Sequence, residues 1–166
     1  MAGSLRRWIA LGSALGQANG TWPPARSIEV NYLDGGVSRR QRRTHPYETR
    51  AGIWVRSKGE AAIANHLHDR GIRFWYERRV AVRNARGNST WRSCDFVLDR
   101  GFWRSKLLWE HFGMWGDAAY QRRAKQKLAM YHQAGRAVVV TFGHAPSPST
   151  MDRKLAPFVA QLKRRS

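Results

Sequence analysis

Cysteine and negative charge are both scarce in this 166-residue chain. The single cysteine, Cys94, excludes an intramolecular disulfide framework and any cysteine-rich zinc site, and suits a reducing cytoplasm. Only 11 Asp and Glu stand against 30 Lys and Arg, a formal net charge of +19. Long hydrophobic runs are missing too: no stretch approaches the roughly 18 apolar residues that span a bilayer. The opening LRRWIALGSALGQA is basic and then mildly apolar, but Gly12, Ser13 and Gly16 interrupt it. It reads as a frayed or loosely docked arm in preference to an export signal. No internal repeat is visible.

Hydrophobic residues make up 42% of the chain, enough for one packed core, and eight tryptophans add large apolar surfaces. A positive excess of this size says nothing about fold, but it favours an anionic polymer as partner. Nucleic acid is the first candidate and an anionic membrane surface the second; taken with the motifs below, DNA is expected ahead of RNA and a membrane partner is not expected. Residues 1–50 look unlike the rest, with Pro23-Pro24, Gly35-Gly36 and the run SRRQRRTHPYETR, and no sustained period. They read as a basic, loosely structured arm before a domain of residues 51–166. Glu48 is the only acid between 36 and 58, so Arg39, Arg40, Arg42, Arg43, Arg50 and Arg56 are candidates for phosphate contact.

From residue 57 the pattern sharpens. Ser57 followed by Glu60 forms an S-x-x-E start, Ile63, Ala64 and Leu67 keep helical spacing, and Gly71 provides a stop. FWYERRVAV and WRSCDFVL, rich in aromatic and β-branched residues, read as two strands around the loop RNARGNST, and SKLLWEHFGM holds a third. DAAYQRRAKQKLAMYHQAG puts Tyr120, Ala124, Leu128 and Tyr131 on one helix face. RAVVVTFG reads as a strand buried on both faces, and MDRKLAPFVAQLKRR as a last helix that Pro157 kinks or restarts. The expected order is αβββαβα: an α/β fold, a mixed central sheet flanked by helices.

LLWEHFGM sets a glutamate and a histidine inside an apolar run, where a carboxylate is costly unless it is paired or bound to a metal. Asp95 lies on the preceding strand. Acids on neighbouring strands can approach closely, which raises one pKa unless a cation intervenes. Mg²⁺ suits such a site because it takes one or two carboxylates and completes its shell with water and substrate phosphate; Mn²⁺ should substitute.

With the element order, SKGEAAIANHLHDRGI, CDFVL, LLWEHFGM and the K-x-x-x-Y of Lys127 to Tyr131, the chain from about 55 to 163 resembles the PD-(D/E)XK nuclease superfamily. The likeness is to a bacterial branch with an SK-x-E, PDF, WEH-x-GM pattern. The resemblance implies a restriction-endonuclease-like fold, metal held by Asp95 and Glu110, and assistance from Glu60 through the metal or its water. Cys94 stands where that pattern has proline, which supplies geometry and no ligand. Phe112 stands where E-x-K has its lysine, and it can neither donate a proton nor neutralise a phosphate. The resemblance implies that Lys127 substitutes, with Lys125 and Gln126 the weaker choices.

Each residue also has a plainer role to set against this one. Glu60 could simply complete a capping box, Asp95 could pair with an arginine, and His111 is expected as a half-buried, hydrogen-bonded side chain or a supporting group beside the acids. Tyr131 is expected in the core with its hydroxyl near them. His66 and His68, two apart on a helix, are not expected to share a metal. The expected activity is Mg²⁺-dependent phosphodiester hydrolysis, most readily in DNA. Arg122, Arg123 and the tail Lys163, Arg164 and Arg165 would add sequence-independent affinity, and a protein partner could supply specificity. The main alternative is a nuclease-like subunit that binds DNA without cutting it. A ribonucleoprotein component that binds RNA is a further one, but it leaves the acid pair without a purpose.

Overall fold

The computed structural model describes residues 43–99 and 106–162. A two-stranded ribbon, β1 (Tyr47–Glu48) and β2 (Trp54–Val55), leads into helix α1 (Lys58–Asp69). Strands β3 (Phe74–Arg83), β4 (Ser89–Leu98) and β5 (Leu107–Phe112) follow, then α2 (Ala118–Gln133), β6 (Val138–Phe142), α3 (Pro148–Leu155) and a 3₁₀ turn over Ala156–Gln161. From α1 onward the order read from the sequence is the order found; the ribbon before it was not expected. β3, β4 and β5 are antiparallel neighbours, and β6 joins β5 in parallel, giving a mixed four-stranded sheet. The second helix carries the chain from β5 back to a parallel neighbour, as a parallel pair requires.

The helix ends follow their sequence signals. Ser57 accepts from the Glu60 N–H at 3.1 Å, and Asp117 from the Tyr120 N–H at 2.5 Å, so each satisfies a donor of the first turn. α1 and α3 cover one face of the sheet over Ile63, Leu67, Phe96, Trp109, Met151 and Leu155. α2 covers the other over Cys94, Val97, Leu108 and Tyr131. Two expectations need correction. β6 is an edge strand with alternating burial, because β5 takes the central place with all six residues buried. The last helix starts at Pro148, capped by Ser147, and Pro157 falls in the 3₁₀ turn that follows it. Tyr47, within the segment expected as an arm, packs against the first core cluster. Arg39, Arg40, Arg42, Trp103, Lys163, Arg164 and Arg165 lie outside the described residues.

One irregularity organises the sheet. Phe74, Tyr76, Phe96 and Leu98 belong to the α1–α3 side, whereas Val82 and Cys94 belong to the α2 side. Side chains on a strand alternate faces, so Phe96 and Cys94 should point the same way, and they do not. The pleat reverses between them, in both strands at once. Glu77, opposite Asp95 in the register, has φ +49°, which is uncommon for a residue with a side chain. Ladder pairing of β4 with β5 extends only from Phe96–Trp109 to Leu98–Leu107.

α1 lies against β5 at unusually close range. A methyl group added at Gly59 would sit 2.0 Å from His111 Nε2, and the ring is held by a 3.0 Å contact of Nδ1 with Thr141 Oγ1. Alanine usually stabilises a helix by about 1 kcal/mol relative to glycine. Gly59→Ala should reverse that sign and destabilise the protein by about 1–3 kcal/mol, the usual range for overpacking. The penalty should shrink in Gly59→Ala combined with His111→Ala, as read by urea unfolding.

Candidate functional site

The pleat reversal turns β4 so that the Asp95 side chain takes over a backbone role. Its Oδ2 accepts the His111 N–H at 2.8 Å, and Oδ1 lies 3.5 Å from Arg56 Nη2. Asp95 is thus tied to β5, the strand that carries Glu110.

Glu110 points to the α2 side and is 1% exposed. Lys127 Nζ donates to Oε2 at 2.7 Å and the Tyr131 hydroxyl donates to Oε1 at 2.6 Å. Lys127 and Tyr131 are four apart on α2, so one helix face supplies both donors. Burial above all, then the charge of Asp95, pushes Glu110 up from the model-compound value of 4.5 to about 7, against the pull of Lys127. Phe112 follows on the same strand face, among the rings of Tyr120, Trp115 and Phe142. It is a packing residue. Lys125 and Gln126 are exposed on α2, and no hydrogen bond joins either to the acids.

Glu60, in the first turn of α1, accepts at Oε2 from the Tyr76 hydroxyl at 2.6 Å and the Arg56 N–H at 3.0 Å. Its capping role is therefore real, although the backbone group it reaches lies one residue before the Ser57 cap. The Arg56 guanidinium stands among three acids: 2.8 Å from Glu77, 3.5 Å from Asp95 and 4.0 Å from Glu60. Burial lowers the Arg56 pKa, but Glu77 and Glu60 outweigh it and the net shift is upward. Glu77 also meets His45 Nε2 at 3.2 Å. Arg56, expected as a phosphate ligand, is engaged inside this site instead. Arg50 likewise pairs with Asp69 on α1. Arg43, Arg122 and Arg123 are exposed.

His111 lies on the opposite face of β5 from Glu110, as the strand period requires. It is 6% exposed, more buried than expected, and Thr141 holds its Nδ1. Burial lowers its pKa despite the nearby charges of Asp95 and Glu60. The hydroxyl of Tyr120, on the first turn of α2, feels Asp95, Glu110, Glu60 and Arg56 together; burial and the acids raise its pKa. Cys94 takes more part than a proline stand-in would. Its buried thiol lies beside Glu110, and burial with the charges of Glu110 and Asp95 raises its pKa well above the ordinary value.

The sequence reading missed Glu77, Tyr76 and Arg56 as members of this acid cluster. Glu77 enters through a positive φ inside β3 that no sequence pattern marks, and Tyr76 and Arg56 enter through Glu60, which accepts from both. Among the described residues, no group of three or more His, Cys, Asp or Glu side chains could hold a metal ion as it stands. The donor chemistry still fits a hard cation of the kind that uses two carboxylates and takes its other ligands from water and phosphate. Asp95 Oδ1 is the most loosely held oxygen of the pair, and the Arg56 side chain over it is 48% exposed. Among the described residues, no helix is long and apolar enough to cross a membrane.

No protein-family model, curated protein or solved structure matches the chain.

Glu110 also sets a pH dependence for stability. Its folded pKa lies above its unfolded value, so the native state holds the proton more tightly and stability falls as pH rises from 4.5 towards 7. In metal-free buffer, Glu110→Gln should remove this slope. The Gln variant should gain on the parent across that window by an amount on the order of 3 kcal/mol, by the usual conversion of a pKa shift, in chemical denaturation at a series of pH values.

Proposed function

We propose that the chain is a divalent-metal-dependent nuclease of restriction-endonuclease-like fold, acting on nucleic acid and on DNA in the first instance. The observation that carries this reading is Lys127 Nζ, 2.7 Å from Glu110 on the strand next to Asp95. It supplies from a helix the cation that Phe112 denies the strand. The αβββαβα order and the charge of +19 support the same reading.

On this reading Asp95 and Glu110 hold Mg²⁺, with Glu60 assisting through the surrounding water. When bound, Mg²⁺ lowers the pKa of a coordinated water and offsets charge on the scissile phosphate. Lys127 keeps the Glu110 carboxylate oriented and lends positive charge where the pentavalent transition state gathers negative charge. Tyr131 fixes the other Glu110 oxygen, and the His111 N–H fixes Asp95. Arg56 is the group that must yield around Asp95, and its exposure leaves it room to turn towards a phosphate.

One observation favours a second reading, a nucleic-acid-binding subunit that does not cut. Arg56 and Lys127 already neutralise the acids from within the chain.

Cleavage of plasmid, linear and single-stranded DNA and of structured RNA with Mg²⁺ or Mn²⁺ separates the two. The nuclease reading expects cleavage that EDTA stops, that Asp95→Ala and Glu110→Ala abolish without loss of binding, and that Lys127→Ala slows by about 100-fold or more, the scale of one lost transition-state contact. Tight binding with no cleavage under any divalent metal would leave the subunit.

A further inference from the structure

Beyond the pleat reversal, β3 and β4 run on as a hairpin, and its part from Arg79 to Arg92 makes no hydrogen bond or ion pair with Asp95, Glu110 or Glu60. Residues 78–94 contain five arginines and no Asp or Glu. None of the five, Arg78, Arg79, Arg83, Arg86 and Arg92, is ion-paired to a carboxylate among the described residues. Elsewhere the described arginines 50, 56, 70 and 73 all have acidic partners.

The register decides how these side chains are displayed. Trp91 pairs with Ala81, Ser93 with Arg79 and Ser89 with Arg83. Val80 and Val82 face the second core and α2. By alternation, Arg79, Ala81 and Arg83 share the opposite face with Trp91. There the small Ala81 leaves the indole uncrowded, with Arg79 and Arg83 as its diagonal cross-strand neighbours. Trp91 is 56% exposed, and Arg79, Arg83, Ser89 and Ser93 are exposed around it.

The hairpin end is also braced. The Asn84 side chain accepts from the Arg86 and Asn88 N–H groups, both at 3.0 Å, and Gly87 takes φ +79°. Arg78 lies on the Trp75 ring at 4.7 Å and Arg92 donates to the Trp91 carbonyl at 3.0 Å, which leaves Arg79, Arg83 and Arg86 as the outward charges.

A flat indole between two uncompensated guanidinium groups matches one repeating ligand: an apolar ring with an anion on each side. Nucleotides in a single strand have that form, and their ring faces are free, whereas in a duplex they are already stacked on each other. We propose that this face of the β3–β4 hairpin binds single-stranded or locally unpaired nucleic acid, with Trp91 stacked on a base and Arg79 and Arg83 on the flanking phosphates. The proposal rests on the nucleic-acid part of the reading above and not on cleavage.

The test is fluorescence anisotropy of the full chain with a labelled oligothymidylate of about 20 nucleotides, longer than one stacking platform covers, and with a duplex of equal length. Trp91→Ala should weaken single-strand binding about tenfold, an ordinary loss for one stacked base, with Trp91→Phe recovering most of it. Duplex affinity should change much less. Arg79→Ala with Arg83→Ala should lower the slope of log affinity against log salt by about one to two, while Trp91→Ala leaves it unchanged. These side chains are exposed, so thermal melts of the variants should match the parent.

The proposal falls if Trp91→Ala binds the oligonucleotide as the parent does. It also falls if that variant loses affinity for phosphatidylserine vesicles while keeping the oligonucleotide, the result for a membrane-facing surface. Should the parent bind neither strand form, the nucleic-acid reading falls with it. If the parent binds and cleaves while the variants match it, the hairpin assignment alone fails.

Discussion

A carboxylate at 1% exposure in the central strand is the constraint around which this sheet is arranged. An isolated buried charge is strongly unfavourable, and breaking a buried pair usually costs more than the pair itself contributes. Glu110 is tolerated because α2 brings two donors to it, one from Lys127 and one from Tyr131. That requirement fixes how α2 is rolled on the sheet, since positions four apart must both face β5. The cation arrives from the helix, and the strand position two residues after Glu110 is uncharged. Phe112 there fills the space against Tyr120 and Phe142.

The second constraint is the reversal of the pleat at Glu77 and Asp95. Before it, β3 and β4 alternate in phase with the α1–α3 core; beyond it they alternate in the opposite phase, towards α2. The reversal frees Asp95 from ladder pairing so that its carboxylate can take the His111 N–H. It also lifts the rest of the hairpin clear of β5, because the β4–β5 ladder stops at Phe96. The site and the projecting basic hairpin therefore share one structural cause.

Much of this was legible in the sequence because it depends on local pattern. Ser57, Asp117 and the helical spacing of Ile63, Ala64 and Leu67 specify helices from neighbours a few residues away, and the strands stood out by composition. Lys127 could be singled out, though only through resemblance. Illegible were the features set by residues distant in sequence. The φ of Glu77 carries no residue signal, since glycine, the usual mark of such a turn, is absent there. Arg56, which lies just before α1, reaches Glu60, Glu77 and Asp95 only when that segment docks on the sheet. β6 looked doubly buried because VVV is apolar, yet strand order, not composition, decides which strand lies at an edge. The acid-free run from Arg78 to Cys94 was visible all along. What it lacked was the register that puts Trp91 between two of its arginines.

The positive charge of the described residues divides into two populations with different physical consequences. Arg56 and Lys127 are spent locally, within 4.0 Å of carboxylates, and their fields are largely cancelled at a distance. The hairpin arginines have no such partners among the described residues, so together with the exposed Arg43, Arg122 and Arg123 they add to the potential that an approaching polyanion meets first. A strand drawn in by the hairpin would be held beside a site whose own cations are still paired. On the proposed reading, the close arrival of a phosphate offers Arg56 an anion that competes with Asp95 Oδ1, which it holds at 3.5 Å. On the proposed reading, attraction and site opening fall to separate arginines. The half-exposed Arg56 side chain can turn without disturbing the core, whereas Lys127, 25% exposed and bonded at 2.7 Å, is built to stay.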